Sequence, residues 1–214
     1  MTDVFGPHRV VPVVVLDDPG RADDLGAALA AGGLPVAEVT FRSPDAPAVL
    51  RRMADREDLV VGAGTVLTAE QVDLAHRSGA RFVVSPGLGP DVVRRCQQLD
   101  LPVLPGVSTA TEVMQALSLG VDLVKFFPAE PSGGLPAVSA LADAFRQVRF
   151  VPTGGITAAR APDYLAHPAV AAVGGTWMVP PALLKAGRWE EVAALCAAAV
   201  AATAADPVVV PVTS

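Results

Sequence analysis

Only two of the 16 basic residues are lysines, Lys125 and Lys185, so each calls for an explanation. Lys125 lies in the apolar run Leu123-Val-Lys-Phe-Phe127. Read as a strand, this run puts Val124 and Phe126 on one face and Leu123, Lys125 and Phe127 on the other. An amine held in a water-poor space near an arginine has its ammonium form disfavoured by desolvation and by like charge. Its pKa falls, and the free amine becomes a nucleophile for carbonyl carbon. The simpler alternative is a structural ion pair with Glu38 or Asp122. Lys185, within Pro181-Ala-Leu-Leu-Lys-Ala-Gly-Arg-Trp189, sits among helix and turn signals and reads as a solvated surface residue.

Attack of an amine on a carbonyl needs a proton shuttle, and Glu38 is the candidate. Glu38, Thr40 and Arg42 share one face by the two-residue strand period, with Val39 and Phe41 on the other. If the apolar pair faces the helices, the polar set faces inward. Arg42 has the planar fork that grips a carboxylate bidentately, and Thr65 offers a hydroxyl beside glycine backbone. Pattern alone leaves other roles open: Glu38 and Arg42 as mutual counter-ions at a strand end, and Thr65 as a helix cap. Two glycine pairs, in Pro152-Thr-Gly-Gly155 and Gly174-Gly-Thr176, follow the last two apolar runs. Backbone N–H groups at such places cradle phosphate, although two tight turns would also explain them. Ser85-Pro86-Gly87 and Pro105-Gly106 are weaker signals that turn formation accounts for.

Other chemistries find little support. His8, His76 and His167 belong to no H-E-x-x-H or carboxylate grouping, so no metal site is expected. Cys96 and Cys196 are far apart and read as buried thiols. There is no G-x-S-x-G or P-loop pattern. A net charge of −6 disfavours nucleic acid as a partner, because neutralising phosphates needs clustered Lys and Arg. No apolar stretch reaches the ~18 residues of a membrane-spanning helix. Met1 to Asp17 has no export-signal pattern, and the expectation is a cytoplasmic protein without a membrane partner.

The elements that must position these residues repeat along the chain. Strand candidates are Val10 to Leu16, Val36 to Phe41, Leu59 to Gly64, Phe82 to Ser85, Pro102 to Leu104, Leu123 to Phe127, Arg149 to Pro152 and Val170 to Val173. Helical spacing fills the gaps, as in Arg21 to Ala31, Ala69 to Arg77, Asp91 to Leu99 and Thr111 to Leu119. Thr68-x-x-Gln71 and Thr109-x-x-Glu112 mark helix starts; Gly32, Gly79 and Gly120 mark helix ends. Strand centres recur roughly every 20 to 26 residues, the length of one βα unit. With 214 residues, 51% of them apolar, the chain suits one core. The expected fold is a single (β/α)8 TIM barrel over about residues 1–205, with a tail, 206–214, of no assigned place. The rival open sheet would carry G-x-G-x-x-G after its first strand, where this chain has Leu16-Asp-Asp-Pro-Gly20. Pro12 is a local misfit with a first strand, since it lacks a ladder donor. In such barrels the chemistry sits at the C-terminal ends of the strands, where the polar residues singled out above would fall.

Seven of these segments together resemble the 2-keto-3-deoxy-6-phosphogluconate aldolases, in order and over about Val10 to Val200. They are Glu38-Val-Thr-Phe-Arg42, Gly62-Ala-Gly-Thr65, Ser85-Pro-Gly87, Lys125-Phe-Phe-Pro-Ala-Glu130, Gly133-Gly134, Pro152-Thr-Gly-Gly-Ile156 and Gly174-Gly-Thr-Trp177. The resemblance implies a class I aldolase of the Entner-Doudoroff pathway, a homotrimer with no metal or organic cofactor. Its substrate would be a phosphorylated keto acid, cleaved to pyruvate and glyceraldehyde 3-phosphate. By the same resemblance Lys125 is the Schiff-base lysine, Glu38 the general acid/base, and Arg42 and Thr65 the grip on the carboxylate. Gly154, Gly155, Gly174, Gly175 and Thr176 would hold the phosphate, and Thr153, Pro86 and Phe127 would line the pocket. Sister enzymes acting on 2-keto-3-deoxy-6-phosphogalactonate or 4-hydroxy-2-oxoglutarate would keep Lys125, and a lapsed phosphosugar sensor would bind without turnover. Two departures bear on the phosphate end: Pro136 stands where the family usually has lysine, and Thr176 where serine is frequent.

Overall fold

Apolar runs with no polar alternation belong to strands covered on both faces, and that is how they are used. In the computed structural model, which describes residues 4–203, every strand pairing is parallel. Strands β1 (Val10–Val14), β2 (Val36–Thr40), β3 (Val60–Gly64), β4 (Val83–Val84), β5 (Val103–Leu104) and β9 (Val173–Gly175) form one sheet in the order β5-β4-β3-β2-β1-β9. A second sheet has the order β6 (Gly106–Val107), β7 (Leu123–Phe126) and β8 (Arg149–Pro152). Helices fill the connections: α1 (Ala22–Ala31), α2 (Ala46–Ala54), α3 (Ala69–Arg77), α4 (Pro90–Gln98), α5 (Ala110–Ser118), α6 (Gly134–Ala144) and α7 (Ala161–Ala166). After β9 come α8 (Pro181–Ala186) and α9 (Trp189–Thr203). No helix among the described residues is long and apolar enough to cross a membrane.

The two sheets meet at two seams. At one, the chain leaves β5 on β4 and enters β6 on β7 across Pro105, a strand path where the Pro-Gly pair predicts a turn. At the other, parallel bridges join Phe150 to Val170 and Thr153 to Gly174, and the Phe150 amide donates to Ala169 O at 2.8 Å. The last strand is displaced from its expected span, Val170 to Val173, toward the C-terminus. Gly174 and Gly175 therefore lie inside β9 rather than after it. Glycine has weak strand preference, which is why the pair reads as lying past the strand, but here close neighbours occupy the space a side chain would need. A Cβ on Gly174 would come 2.3 Å from Thr153 Oγ1. Pro12 is accommodated because it falls where β1 passes from pairing with β9 to pairing with β2.

Helix boundaries follow their capping chemistry. Thr109 and Glu112 form a full capping box, and Thr68 Oγ1 accepts from the Gln71 amide. Gly79 and Gly120 adopt the left-handed conformation just past α3 and α5, whereas after α1 that role falls to Gly33 rather than Gly32.

The core divides into two apolar clusters. The larger joins outward strand residues such as Val39, Val124 and Phe126 to the helices. The smaller joins Phe5, Val11, Val36, Phe82, Val84, Leu104, Val151 and Ala172, with Leu123 packed against it. Phe5 and Phe82 meet edge-on at 5.2 Å, and Gly62 leaves room for the Phe82 ring. Of these residues, Val36 and Leu123 open β2 and β7, and Val151 lies within β8. Two residues further along each strand, on the same face, come Glu38 after Val36, Lys125 after Leu123 and Thr153 after Val151. The smaller cluster is thus an apolar floor with a polar layer directly above it.

Candidate active site

Lys125 and Glu38 meet across the interior from different sheets. Lys125 Nζ lies 3.2 Å from Glu38 Oε1, with the two residues 6% and 3% exposed. Of the Glu38 carboxyl, Oε1 is the oxygen that accepts from the lysine. Nζ also stands 5.1 Å from the centroid of the Phe127 ring, a cation–π distance. Of the partners open to Lys125 in the sequence, the structure brings Glu38 and not Asp122. A charge pair this buried is costly to assemble without further hydrogen bonds, so stability gives weak reason to keep it.

Around this pair, Thr40 is committed elsewhere: its hydroxyl donates to Val14 O at 2.9 Å. Arg42 follows the end of β2, where its amide turns back to Thr40 O at 2.8 Å. The two-residue period no longer governs its direction there. Arg42 is exposed and pairs with no carboxylate among the described residues, so it is not the counter-ion of Glu38. Thr65 is half-buried at the end of β3 with φ 58°, an outlier for a β-branched residue and of the kind that gathers at functional sites. Pro86 and Phe127 are half-buried just after β4 and β7. The Ser85 hydroxyl donates to Gly87 O at 2.6 Å, and Gly106 has no Cβ where the Pro86 carbonyl would meet one at 2.2 Å.

The glycine loops are built differently. Gly154 and Gly155 both have positive φ, 106° and 81°, and Gly155 is exposed. Gly174 and Gly175 are buried in β9, and Thr176 beyond them is exposed. The loop after β7 laces onto the first pair: the Ala129 amide donates to Thr153 O at 2.8 Å and the Glu130 amide to Gly154 O at 3.0 Å. The Glu130 carboxylate accepts from Tyr164 OH at 2.7 Å and pairs with Arg160 Nη1 at 3.2 Å. Burial, reinforced by Glu130, pushes the Tyr164 hydroxyl well above the ordinary tyrosine range. Sequence reasoning gave Glu130, Arg160 and Tyr164 no role. The partners are 34 positions apart, and only the Lys125-Phe-Phe-Pro-Ala-Glu130 segment drew attention to the first.

Remaining nucleophiles lie away from the site. Cys96 and Cys196 are buried in α4 and α9, and burial pushes both thiols up to about 12. No three His, Cys, Asp or Glu residues cluster as metal ligands among the described residues.

A parallel α/β scaffold with a buried amine touching a carboxylate, above an apolar floor, defines a site for amine–carbonyl chemistry. Residues 2–195 match the family model described as KDPG and KHG aldolase, and the chain belongs to that family. A Haemophilus influenzae protein named 2-dehydro-3-deoxy-phosphogluconate aldolase is 46% identical over 188 residues, 87% of this chain and 89% of that one. Among solved structures, the Zymomonas mobilis 2-keto-3-deoxy-6-phosphogluconate aldolase with 3-phosphoglycerate superposes with a TM-score of 0.86 at 46% identity, covering 92% of each chain. A Legionella pneumophila KDPG aldolase, with pyruvate captured at low pH as a covalent carbinolamine intermediate, gives 0.89 at 40% identity, covering 92% of this chain and 96% of the other.

Proposed function

We propose that the protein is a carbon–carbon lyase that cleaves 2-dehydro-3-deoxy-6-phosphogluconate to pyruvate and D-glyceraldehyde 3-phosphate through a Schiff base on Lys125. The observation that carries this reading is the Lys125–Glu38 contact, which joins a nucleophile to a proton carrier in a water-poor interior. The Lys125 amine adds to the C2 keto carbon, and loss of water gives a cationic imine. Glu38 takes the proton of the C4 hydroxyl; the C3–C4 bond breaks, its electron pair moves into the imine to give an enamine, and the aldehyde leaves. Glu38 then returns its proton to C3 of the enamine, and hydrolysis frees pyruvate and the amine. The protonated imine is itself the electron sink, so the scheme needs no metal or organic cofactor.

Arg42 and Thr65 hold the substrate carboxylate in this reading. An exposed guanidinium without an internal partner supports it, because such a group stays available to a ligand anion. The backbone of Gly154, Gly155, Gly174 and Gly175, with the Thr176 hydroxyl, holds the phosphate, and Thr153, Pro86 and Phe127 line the pocket between. The two seams support a closed barrel of eight staves, β5 and β6 forming one stave interrupted at Pro105, in a single domain over about residues 1–205. The tail 206–214 lies outside the described residues. We propose a homotrimer on the family resemblance, and a cytoplasmic enzyme because its substrate is a highly charged solute that membranes retain.

Steady-state release of pyruvate from the 6-phosphogluconate-derived substrate tests the reaction. Comparison with the galactonate epimer and with 4-hydroxy-2-oxoglutarate tests the specificity, since a site that pairs one hydroxyl orientation rejects the other. The highest kcat/KM is expected on the gluconate compound; a preference for either rival would reassign the substrate while keeping the chemistry.

A further inference from the structure

Gly64 closes β3, in register with Thr40 of β2, and its backbone is not in the left-handed region that would demand glycine. Its reason for being glycine lies in what stands above it. A Cβ built on Gly64 would fall 2.2 Å from Glu38 Oε1, 2.5 Å from Cγ and 2.7 Å from Cδ. All three distances are below the 3.0 Å that real Cβ atoms essentially never breach. The Glu38 carboxyl therefore rests directly on the Gly64 backbone, and the oxygen pressed most closely is the one that contacts Lys125. Gly62, two residues earlier on the same strand, makes a useful contrast. Its missing side chain admits the Phe82 ring of the apolar floor, which is packing. The missing side chain at 64 admits the group proposed to move protons.

We infer that Gly64 is a positioning residue for the reaction: the bare backbone is the seat that holds the Glu38 carboxyl against the Lys125 amine. The inference rests on the function proposed above. Any side chain at 64 forces the carboxyl off that seat, because the barely exposed Glu38 has little room to retreat. The imine can still form, since Lys125 and its strand are untouched. What suffers is proton transfer by a carboxyl displaced on the scale of an ångström, a misplacement that costs on the order of 100-fold in rate.

The test is Gly64→Ala, read by three measurements against wild type: borohydride trapping of pyruvate on Lys125, exchange of the pyruvate methyl protons with deuterium oxide, and steady-state cleavage. In the exchange, Glu38 removes a methyl proton from the pyruvate imine to give the enamine, then delivers a deuteron gained from solvent. Trapping is expected to survive, while exchange and kcat fall together by about 100-fold and KM moves by less than about 3-fold. Glu38→Ala completes a double-mutant cycle. With nothing beyond Cβ, alanine at 38 lacks all three atoms that a side chain at 64 would meet, so adding Gly64→Ala to it is expected to cost far less than adding it to wild type. Exchange within about 3-fold of wild type in a folded Gly64→Ala protein, or costs that add fully across the cycle, would overturn the inference. If Gly64→Ala alone does not fold, folding of the Gly64→Ala, Glu38→Ala protein sustains the inference, and its failure to fold refutes it. A wild-type protein that neither traps pyruvate nor cleaves substrate would instead remove the proposed function. Wild-type activity with an unaffected Gly64→Ala protein removes only the role of Gly64.

Discussion

The two ends of the candidate site are made of different material. At the β2–β7 end, two charged side chains on regular strands meet at 3.2 Å in a nearly solvent-free interior, one from each sheet. At the β8–β9 end the candidate groups are backbone in glycine-rich segments, with Gly155 and Thr176 exposed, Gly154 half-buried, and Gly174 and Gly175 buried in β9. Covalent chemistry needs a nucleophile and a proton carrier fixed to a fraction of an ångström, and strands above a packed floor give that precision. A phosphate carries enough charge to be held by N–H groups of loops that stay wet. The first end is accordingly expected to be intolerant of substitution, the second graded.

Lys125→Met should have the largest effect, removing turnover altogether, because no other buried amine exists among the described residues to form the imine. Substrate loss measured by pyruvate release checks this; residual turnover above background would dissolve the contrast between the two ends. Glu38→Gln keeps the side-chain shape but cannot accept a proton from the C4 hydroxyl. A fall in kcat of about 10²- to 10⁴-fold is expected, with substrate binding largely kept. Arg42→Ala should raise KM about 10- to 100-fold, the cost of one charge-assisted contact, with kcat changing less. An Arg42→Ala enzyme with unchanged KM would take the carboxylate grip away from the end of β2.

Glu130→Ala belongs to the other end. Loss of the Tyr164 and Arg160 contacts should loosen the lacing to Gly154, raising KM several-fold for phosphorylated substrate while methyl-proton exchange of free pyruvate stays at the wild-type rate. Equal losses in both assays would mean that Glu130 supports the whole fold rather than the phosphate end. The smallest effect is expected far from both ends. Thr109→Ala removes half of the α5 capping box and should cost about 1 kcal/mol in denaturant unfolding without changing kcat. Burial raises the Glu112 carboxyl in that box, but the Ser108 and Thr109 donors outweigh it and hold it below the usual carboxylate range. A depressed folded value means the contribution is present above the unfolded pKa and is lost as pH falls through the folded one. The stability gap between wild type and Glu112→Gln should therefore be widest near neutral pH and close in acid.

The strand-built end was the more legible in sequence. A two-residue period placed Glu38 and Lys125 on inward faces, and a 3.6-residue period with capping signals gave α3 its observed limits. What failed did so where local rules stop applying. Arg42 lies beyond the last paired residue of β2, where alternation no longer sets a side chain's direction, and the ion pair of the Lys125 amine is with Glu38. Pro105-Gly106 reads as a turn and Gly174-Gly175 as lying past the last strand, because proline and glycine punctuate chains, yet both pairs lie along strand paths. At Gly106 and Gly174 the glycine is explained by a neighbour approaching through space, which no local pattern records. The partners of Glu130 are likewise distant in sequence, so its contacts emerge only from the folded chain.

The central claim is that the Lys125 amine becomes covalently bonded to the keto carbon. Incubation with pyruvate and sodium borohydride, followed by peptide mass analysis, tests it most directly. The expected product is a peptide containing Lys125 heavier by pyruvate less water plus two hydrogens, formed once per chain and absent when pyruvate is omitted. Unmodified Lys125 in a protein that still releases pyruvate, or the same adduct at Lys185 instead, would contradict the account.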